Sequence, residues 1–365
     1  MLNIVTKFFK IESTVLLLSI LILLNYLIVL INNNDFIIKL VLVVYIFSTI
    51  LFIVYKPLNF FCLKLTLIIL TLIILGNPTY HWDAWAIWLF KAKRIYLEQS
   101  LFIFFDNYAP WSHNDYPLIA PTFAASLGTL IGGWNNIFPK LAFLLMYFPP
   151  LILSVKVFDF RYNLLFLIIS LVLINLQFIF GYIDGLVAIY FTFSAYLINE
   201  IFFNNKKSYI IVLITFCFLS ILSLLKNEGA VLTVILLSSI ILNNLLNKKV
   251  IINFDRTIII FFSIALFLIW KFLCIQNEVD NIFLNKDTLS NSENLLLNFE
   301  SLLLIFKFFI LNPKFLASLS FFSITFYFAK NKRSFYFCIY VSLVYLIIIF
   351  YTFLITPFPL LFHLE

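Results

Sequence analysis

The residues best suited to chemistry in this chain are concentrated between positions 77 and 116. This stretch holds two of the chain's three histidines and four of its six tryptophans. Its histidines and carboxylates are His81, His113, Asp83, Glu98, Asp106 and Asp115. Carboxylates and imidazoles serve as general acids and bases, and cations offset the negative charge that develops during group transfer. The stretch is therefore the first candidate for an active site.

The remaining sequence is strongly apolar. Hydrophobic residues make up 64% of the 365 positions and charged residues only 11%. Soluble domains average about 45–50% apolar and about 25% charged residues, so a soluble globular protein is excluded. Apolar runs recur along the whole chain, and a bilayer favours helices as the spanning element. We predict an all-α polytopic membrane protein that forms a single domain over residues 1–365, with no separate soluble domain.

Hydropathy predicts about eleven crossings, within a range of 11–13. The predicted crossings are residues 11–31, 36–55, 61–76, 139–157, 163–181, 185–203, 208–225, 230–246, 257–276, 314–329 and 335–355. Two further apolar segments, 117–133 and 299–311, are predicted to be re-entrant or interfacial. Backbone of that kind is stable in a membrane only where protein or water covers it.

The distribution of basic residues sets the predicted orientation. With Lys7 and Lys10 in the cytoplasm, most of the later basic clusters also face inward, as the positive-inside rule requires. Residues 77–116 then form a large first extracytoplasmic loop and residues 277–298 a second one. The same threading places several polar residues on the extracytoplasmic side, namely Asp83, Asp115, Asp184, Glu228 and His363. Four separate segments thus offer polar groups to one cavity.

The net charge of +7 does not indicate a nucleic-acid partner, because the lysines occur in short clusters between apolar runs. The four cysteines, Cys62, Cys217, Cys274 and Cys338, lie in or beside apolar runs without metal-ligand spacing and are expected to be buried small hydrophobes. No phosphate-binding loop, dinucleotide fingerprint or zinc motif is present. The N-terminal segment lacks a small-residue cleavage site and is expected to be a retained anchor.

Asp83 begins a stretch of good helix formers that ends near Gln99, and two roles are open to it. It is either a general base beside the membrane surface or a residue that stabilises the helix N-terminus. On α-helical spacing Lys91 and Arg94 share a face with Asp83, which suits an interfacial helix that binds a lipid phosphate or anionic headgroups. Trp82 and Trp85 lie beside Asp83 in the sequence.

Three further polar groups are candidates. His113 and Asp115 precede Tyr116 and Pro117 in a turn, where they could bind a metal, position a hydroxyl or cap the next segment. Asp184 lies in a glycine-flanked hairpin as an intramembrane acid or a helix cap. The last group, Lys226 with Glu228, is either an ion pair or a functional pair.

Four motifs follow one another along the chain: Trp-Asp at 82–83 before the interfacial helix, His-x-Asp-Tyr-Pro at 113–117, Gly-Tyr-x-Asp at 181–184 and Lys-Asn-Glu-Gly at 226–229. In this order they resemble the C-type integral-membrane glycosyltransferases, particularly the bacterial branch related to protein mannosyltransferases and lipid A aminoarabinose transferases. The chain departs from that family in three respects. Its acidic loop follows three crossings instead of one, it has no adjacent acidic pair, and it lacks a large soluble C-terminal domain.

The resemblance implies transfer of a sugar from a polyprenyl-phosphate donor to an acceptor hydroxyl at the extracytoplasmic face, for modification of a cell-envelope glycan or glycolipid. Asp83 matches the family's catalytic acid. The expected substrate-binding residues are Trp82, Trp85, Lys91, Arg94, His113, Asp115, Tyr116, Asp184, Lys226 and Glu228. Whether a divalent cation takes part stays open, and no metal ligand is assigned. The partners implied are membrane lipid and a lipid-linked sugar.

Two other functions fit the same residues. Intramembrane charges and broken helices also suit a transporter or a flippase for lipid-linked sugars, although no internal repeat is found. A polysaccharide polymerase or ligase is the third possibility, but its long glycan would normally meet several arginines, and the first loop offers only Arg94. The abundance of Phe, Ile, Asn and Lys is typical of an AT-rich genome, so the expected location is a bacterial cytoplasmic membrane.

The predicted orientation can be tested by cysteine accessibility. In a chain freed of its four cysteines, single cysteines in place of Asp83 and of Asp184 should both react with a membrane-impermeant maleimide applied from outside. A cysteine in place of Lys206, in a predicted cytoplasmic loop, should react only after the membrane is opened. Labelling of the two aspartate positions from opposite sides would contradict a shared cavity.

Overall fold

The computed structural model describes residues 10–55, 61–77, 79, 82–157, 181–204, 206, 208–247, 254–279, 307 and 332–355. Every regular element in these residues is a helix, and none of them is a strand. The α-helices are α1 (Ile11–Ile31), α2 (Asp35–Tyr55), α3 (Phe61–Gly76), α4 (Leu89–Glu98), α5 (Ile119–Ile131), α6 (Phe138–Val157), α7 (Asp184–Ile198), α8 (Tyr209–Leu225), α9 (Asn227–Asn247), α10 (Phe254–Phe261), α11 (Ala265–Gln276) and α12 (Lys332–Ile355). The first loop adds a π-helix at Asp83–Trp88 and 3₁₀ turns at Phe102–Asp106 and Pro110–Ser112.

Five segments among the described residues are long and apolar enough to cross a bilayer. They are α1, α2, α6, α7 with its π-helical extension to Phe203, and the run Asp255–Gln276. The chain is therefore a helical membrane protein, as predicted. Every predicted crossing within the described residues coincides with a helix, whereas 314–329, and 163–181 except for Gly181, lie outside them. The total of eleven crossings stays a prediction.

Helix α8 lies at the centre of the fold. It packs against α1, α7, α9, α10 and α11, and all residues from Leu219 to Leu225 are buried. A helix that is apolar on all sides is expected to be enclosed by other elements. Because α8 ends at Leu225, this packing fixes the position of the polar link 226–228, which consists of Lys226 and the first two residues of α9.

Helix α5 corresponds to the apolar segment 117–133, which was predicted to be re-entrant or interfacial. Its 13 residues measure about 20 Å at 1.5 Å per residue, less than the roughly 30 Å of a hydrocarbon core. Residues Ile119 to Gly128 are buried, and the helix packs against α1, α2, α4 and α6. Other helices thus cover this short helix, as is required of a segment that enters a membrane without spanning it.

The start of the helix in the first loop differs from the α-helical spacing used to align Asp83 with Lys91. Residues Asp83–Trp88 form a π-helix, and only from Leu89 does the α-helical spacing apply. A π-helix closes its hydrogen bonds over five residues instead of four. The 3.6-residue period therefore applies only from Leu89 onward, and the α-helical spacing predicted from the sequence across Asp83–Trp88 is wrong.

Two prolines in α6 leave backbone carbonyls without helical partners, and two tyrosines bond to them. Pro149 and Pro150 cannot donate to the carbonyls four residues earlier, those of Leu145 and Met146. The Tyr45 hydroxyl donates to the Leu145 carbonyl at 2.6 Å, and the Tyr190 hydroxyl donates to the Met146 carbonyl at 2.9 Å. Since a bilayer offers no water to such groups, these bonds stabilise α6 against α2 and α7.

The pairing of Tyr190 with Pro150 predicts a coupled effect on stability. Tyr190→Phe should lower the free energy of unfolding by about 1–3 kcal/mol, because the buried Met146 carbonyl loses its donor. In a Pro150→Ala background the same change should cost clearly less, since an alanine at this position supplies a helical N–H to that carbonyl. Thermal unfolding in detergent of the wild type, the two single variants and the double variant measures this coupling. Strictly additive losses of stability would contradict it.

Candidate functional site

The candidate site is organised around Asp115, whose side chain is buried. Its Oδ2 accepts hydrogen bonds from Lys271 Nζ at 2.7 Å and from Asn227 Nδ2 at 2.9 Å. Its backbone carbonyl accepts two more, from Trp270 Nε1 at 3.1 Å and Lys271 Nζ at 3.0 Å. One aspartate therefore joins the first loop to α11 and to the link between α8 and α9.

The turn that carries Asp115 is tight. His113 has a positive φ of 54°, and the Tyr116 amide donates to the His113 carbonyl at 2.9 Å. The left-handed conformation is uncommon for a residue with a side chain, although histidine is among those that adopt it more often. This geometry brings the His113 and Tyr116 rings face to face, with centroids 4.8 Å apart.

A buried lysine lies against this aromatic stack. Tyr116 also stacks on Trp88, with centroids 5.9 Å apart. Lys91 is fully buried, its Nζ donates to the His113 carbonyl, and it lies 5.5 Å from the Tyr116 ring centre. Such a cation–π contact offsets part of the cost of burying an ammonium group.

Lys226 joins the two remaining acids of the site. Its Nζ lies 3.2 Å from Asp184 Oδ1 and 3.3 Å from Glu228 Oε1, and 6.0 Å from the centre of the Tyr116 ring. The lysine side chain is 19% exposed, whereas those of Asp184 and Glu228 are 45% and 55% exposed. The acids therefore face open space while the cation lies beneath them.

Burial alone would lower the pKa of Lys226, but the charges of Asp184 and Glu228 outweigh it and raise the pKa above its usual value. Burial raises the pKa of Tyr116, and the charge of Glu228 raises it further. At neutral pH the site thus holds a charged Lys226 and a protonated Tyr116 phenol.

Asp184 does not cap α7. The residue at the N-cap position is Ile183, and Asp184 lies in the first turn with its carboxylate on Lys226. The structure therefore shows Asp184 as an acid with a cationic partner and not as a helix cap. The pair formed by Lys226 and Glu228 is present, but Asp184 shares the same lysine.

Asp83 lies on the same side of the fold as Asp184. It is half-buried at the first position of the π-helix, and the neighbouring Ala84 packs against Gly181. A side-chain carbon at Gly181, which has a φ of 91°, would lie 3.2 Å from Ala84 Cβ. Burial raises the pKa of Tyr182, and the charges of Asp83 and Asp184 raise it further. Both acids are therefore electrostatically close to this tyrosine.

Other predicted residues lie elsewhere or are otherwise engaged. Arg94 forms an ion pair with Asp106 at 2.6 Å, and its guanidinium lies over the Tyr108 ring. Trp82 and Trp85 are exposed and contact each other edge to face. His81 and His363 lie outside the described residues.

Sequence reasoning missed three residues of this site: Trp270, Lys271 and Asn227. Lys271 lies in the predicted crossing 257–276, and an ionisable residue inside an apolar run is itself a signal of function. Asn227 lies in the Lys-Asn-Glu-Gly motif, where the charged residues give the stronger signal. Its amide bonds to Asp115, 112 positions away in the chain, and no local pattern encodes such a contact.

No group of three or more metal-ligating side chains occurs within the part of the chain that the structure describes. His113 and Asp115 remain neighbours in the turn, but the described bonds of the Asp115 carboxylate go to Lys271 and Asn227. The carboxylates of the site thus bind lysines, and the arrangement can accept protons or hydroxyl hydrogens on its open side.

No family model, no curated protein and no solved structure matches this chain.

Two bases in the first loop, the fully buried Lys91 and the half-buried His113, have lowered pKa values. Burial lowers the pKa of Lys91 to about 7, a shift that Asp115 partly opposes. Burial also lowers the pKa of His113, to about 4, and the charge of Lys91 lowers it further. The ordinary value is 10.5 for Lys91 and 6.5 for His113. Of these two bases, Lys91 is the one that releases its proton near neutral pH in the folded state.

This shift predicts that stability rises with pH. Between pH 7 and 9 the unfolded chain keeps the Lys91 proton and the folded chain releases it, so the free energy of unfolding should increase by about 2 kcal/mol. Lys91→Met should remove this increase. Thermal unfolding of both proteins across this range measures it, and an equal pH dependence in the two would contradict the assignment.

Proposed function

We propose that the protein is a membrane glycosyltransferase that moves a sugar from a polyprenyl-phosphate donor to an acceptor hydroxyl at the extracytoplasmic face of a bacterial cytoplasmic membrane. The observation that carries the proposal is the grouping of two acids from separate segments, Asp184 and Glu228, around Lys226 and Tyr116, with Asp83 near enough to Tyr182 to raise its pKa together with Asp184. Such a grouping offers a base, hydroxyl-binding carboxylates and a cation within one site.

The proposed reaction is a single displacement at the anomeric carbon. The acceptor oxygen forms a bond to that carbon as the bond to the phosphate oxygen breaks, with inversion of configuration. Asp83 accepts the proton of the acceptor hydroxyl, and the polyprenyl phosphate leaves with the electron pair. A positioned base of this kind contributes about 10²–10⁴-fold to the rate.

Among the predicted cations, Lys226 has the surroundings best suited to the departing phosphate. It stays charged beside Asp184 and Glu228, and it is partly exposed. Arg94 is bonded to Asp106, which is not one of the acids around Lys226, and Lys91 is fully buried, so both are less suited to binding the phosphate. Asp184 and Glu228 have exposed side chains that suit hydrogen bonds from sugar hydroxyls.

The exposed pair Trp82 and Trp85 adjoins Asp83. Indole rings favour the boundary between water and lipid, and their faces also stack on sugars or on a prenyl chain. In the proposed reaction the two tryptophans hold the lipid-linked donor beside the base. Residues His113 and Asp115 shape the floor of the site instead of contacting the sugar.

The test of the proposal is sugar transfer in proteoliposomes with labelled polyprenyl-phosphate sugars. Asp83→Asn should lower the turnover by about 10²–10⁴-fold because the base is lost. Glu98→Gln is the matched control, since Glu98 is an exposed acid at the other end of the same helix, and it should transfer sugar at the wild-type rate.

A folded Asp83→Asn protein with wild-type turnover would remove Asp83 from the role of base. Movement of the labelled lipid across the bilayer without covalent transfer would show that the protein is a flippase and not a glycosyltransferase. The ion pair of Lys271 with Asp115 also suits that alternative, because paired intramembrane charges are typical of substrate pathways.

A further inference from the structure

Lys271 is bonded to the buried Asp115 and not to the exposed acids Asp184 and Glu228, which pair with Lys226. Asp115 joins the first loop to the other parts of the site. Lys271 lies in α11, within an apolar run long enough to cross a bilayer. Its Nζ donates both to the Asp115 carboxylate, at 2.7 Å, and to the Asp115 carbonyl, at 3.0 Å. We infer that Lys271 is a positioning residue that sets the places of Tyr116 and Lys226 in the site, an inference that rests on the proposed function for its catalytic consequence.

The first route from Lys271 runs through the backbone. The Asp115 carbonyl belongs to the peptide bond that connects Asp115 to Tyr116, and both Lys271 and Trp270 donate to it. Two donors from one helix fix the orientation of this peptide plane. The orientation of this peptide plane sets the position of the Tyr116 ring, which stacks on His113 and Trp88.

The second route runs through the side chain. Asp115 Oδ2 accepts from Lys271 and from Asn227, and Asn227 lies between Lys226 and Glu228 in the chain. By fixing Asp115 Oδ2, Lys271 therefore also fixes the link 226–228, which carries Lys226 and the exposed Glu228. Because Asp115 is buried, its carboxylate cannot exchange the lysine for water without a large loss.

Further contacts dock the first loop on α11. The Phe105 ring stacks on Trp270 with centroids 5.9 Å apart, and the Asn107 amide donates to the Glu278 carbonyl at 3.3 Å. These contacts keep the loop near α11 when Lys271 is changed. Loss of the lysine is therefore expected to move Tyr116 and Lys226 within a folded protein.

The inference is tested by sugar transfer together with fluorine NMR of a fluorotyrosine placed at position 116. Lys271→Gln should lower kcat by about 100-fold, as small misplacements of site residues do, and should shift the fluorine resonance. Lys271→Arg should retain most of the turnover, because a guanidinium donates two parallel bonds to Asp115. Lys156→Gln is the control: Lys156 pairs with Glu12 in another part of the fold, and both measurements should stay as in the wild type.

A folded Lys271→Gln protein with unchanged turnover and an unchanged resonance would overturn the inference. If Lys271→Gln does not fold, the double variant Asp115→Asn with Lys271→Gln removes both charges and leaves none unpaired. Wild-type turnover and resonance in that variant would also overturn it. If the wild-type protein transfers no sugar, the proposed function fails, and the resonance alone decides whether Lys271 positions Tyr116.

Discussion

The buried carboxylate of Asp115 is the interaction on which the site depends. A charge removed from water is destabilising unless an opposite charge and hydrogen bonds compensate it, and Asp115 receives both from Lys271 and Asn227. Each compensating group comes from a different part of the chain. Satisfying one buried charge therefore brings the first loop, α11 and the link 226–228 into one arrangement.

The bilayer imposes a second constraint, which acts on the scaffold. Carbonyls released by Pro149 and Pro150 need donors within the protein, and Tyr45 and Tyr190 provide them from two other helices. Without such bonds, two adjacent prolines would leave α6 poorly defined. The rigidity of α6 in turn supports α5, which lies directly after the turn that carries Asp115.

Hydropathy was sufficient to predict the helices, because in a membrane apolar length alone limits what a segment can do. The grouping of Asp184 with Glu228 also followed from the sequence, through the charge bias of the loops. The partner of each individual charge could not be predicted from the sequence. Arg94 faces Asp106 only because 3₁₀ turns fold the loop back, and Lys271 meets Asp115 across 156 positions. Neither contact leaves a periodic signal, and the role of each residue depends on its partner.

The π-helix at Asp83–Trp88 makes the length of this segment as significant as its composition. A π-helical turn holds about one residue more than an α-helical turn, and each residue of an α-helix turns the chain by about 100°. An α-helix with one residue fewer in this segment would therefore keep Asp83 in nearly the same orientation relative to Lys91, whereas α-helical winding at the present length would rotate Asp83 by about one residue step. Chains that share this site are therefore expected to keep the relative orientation of these two residues, either with a π-helix at this spacing or with an α-helix that is one residue shorter.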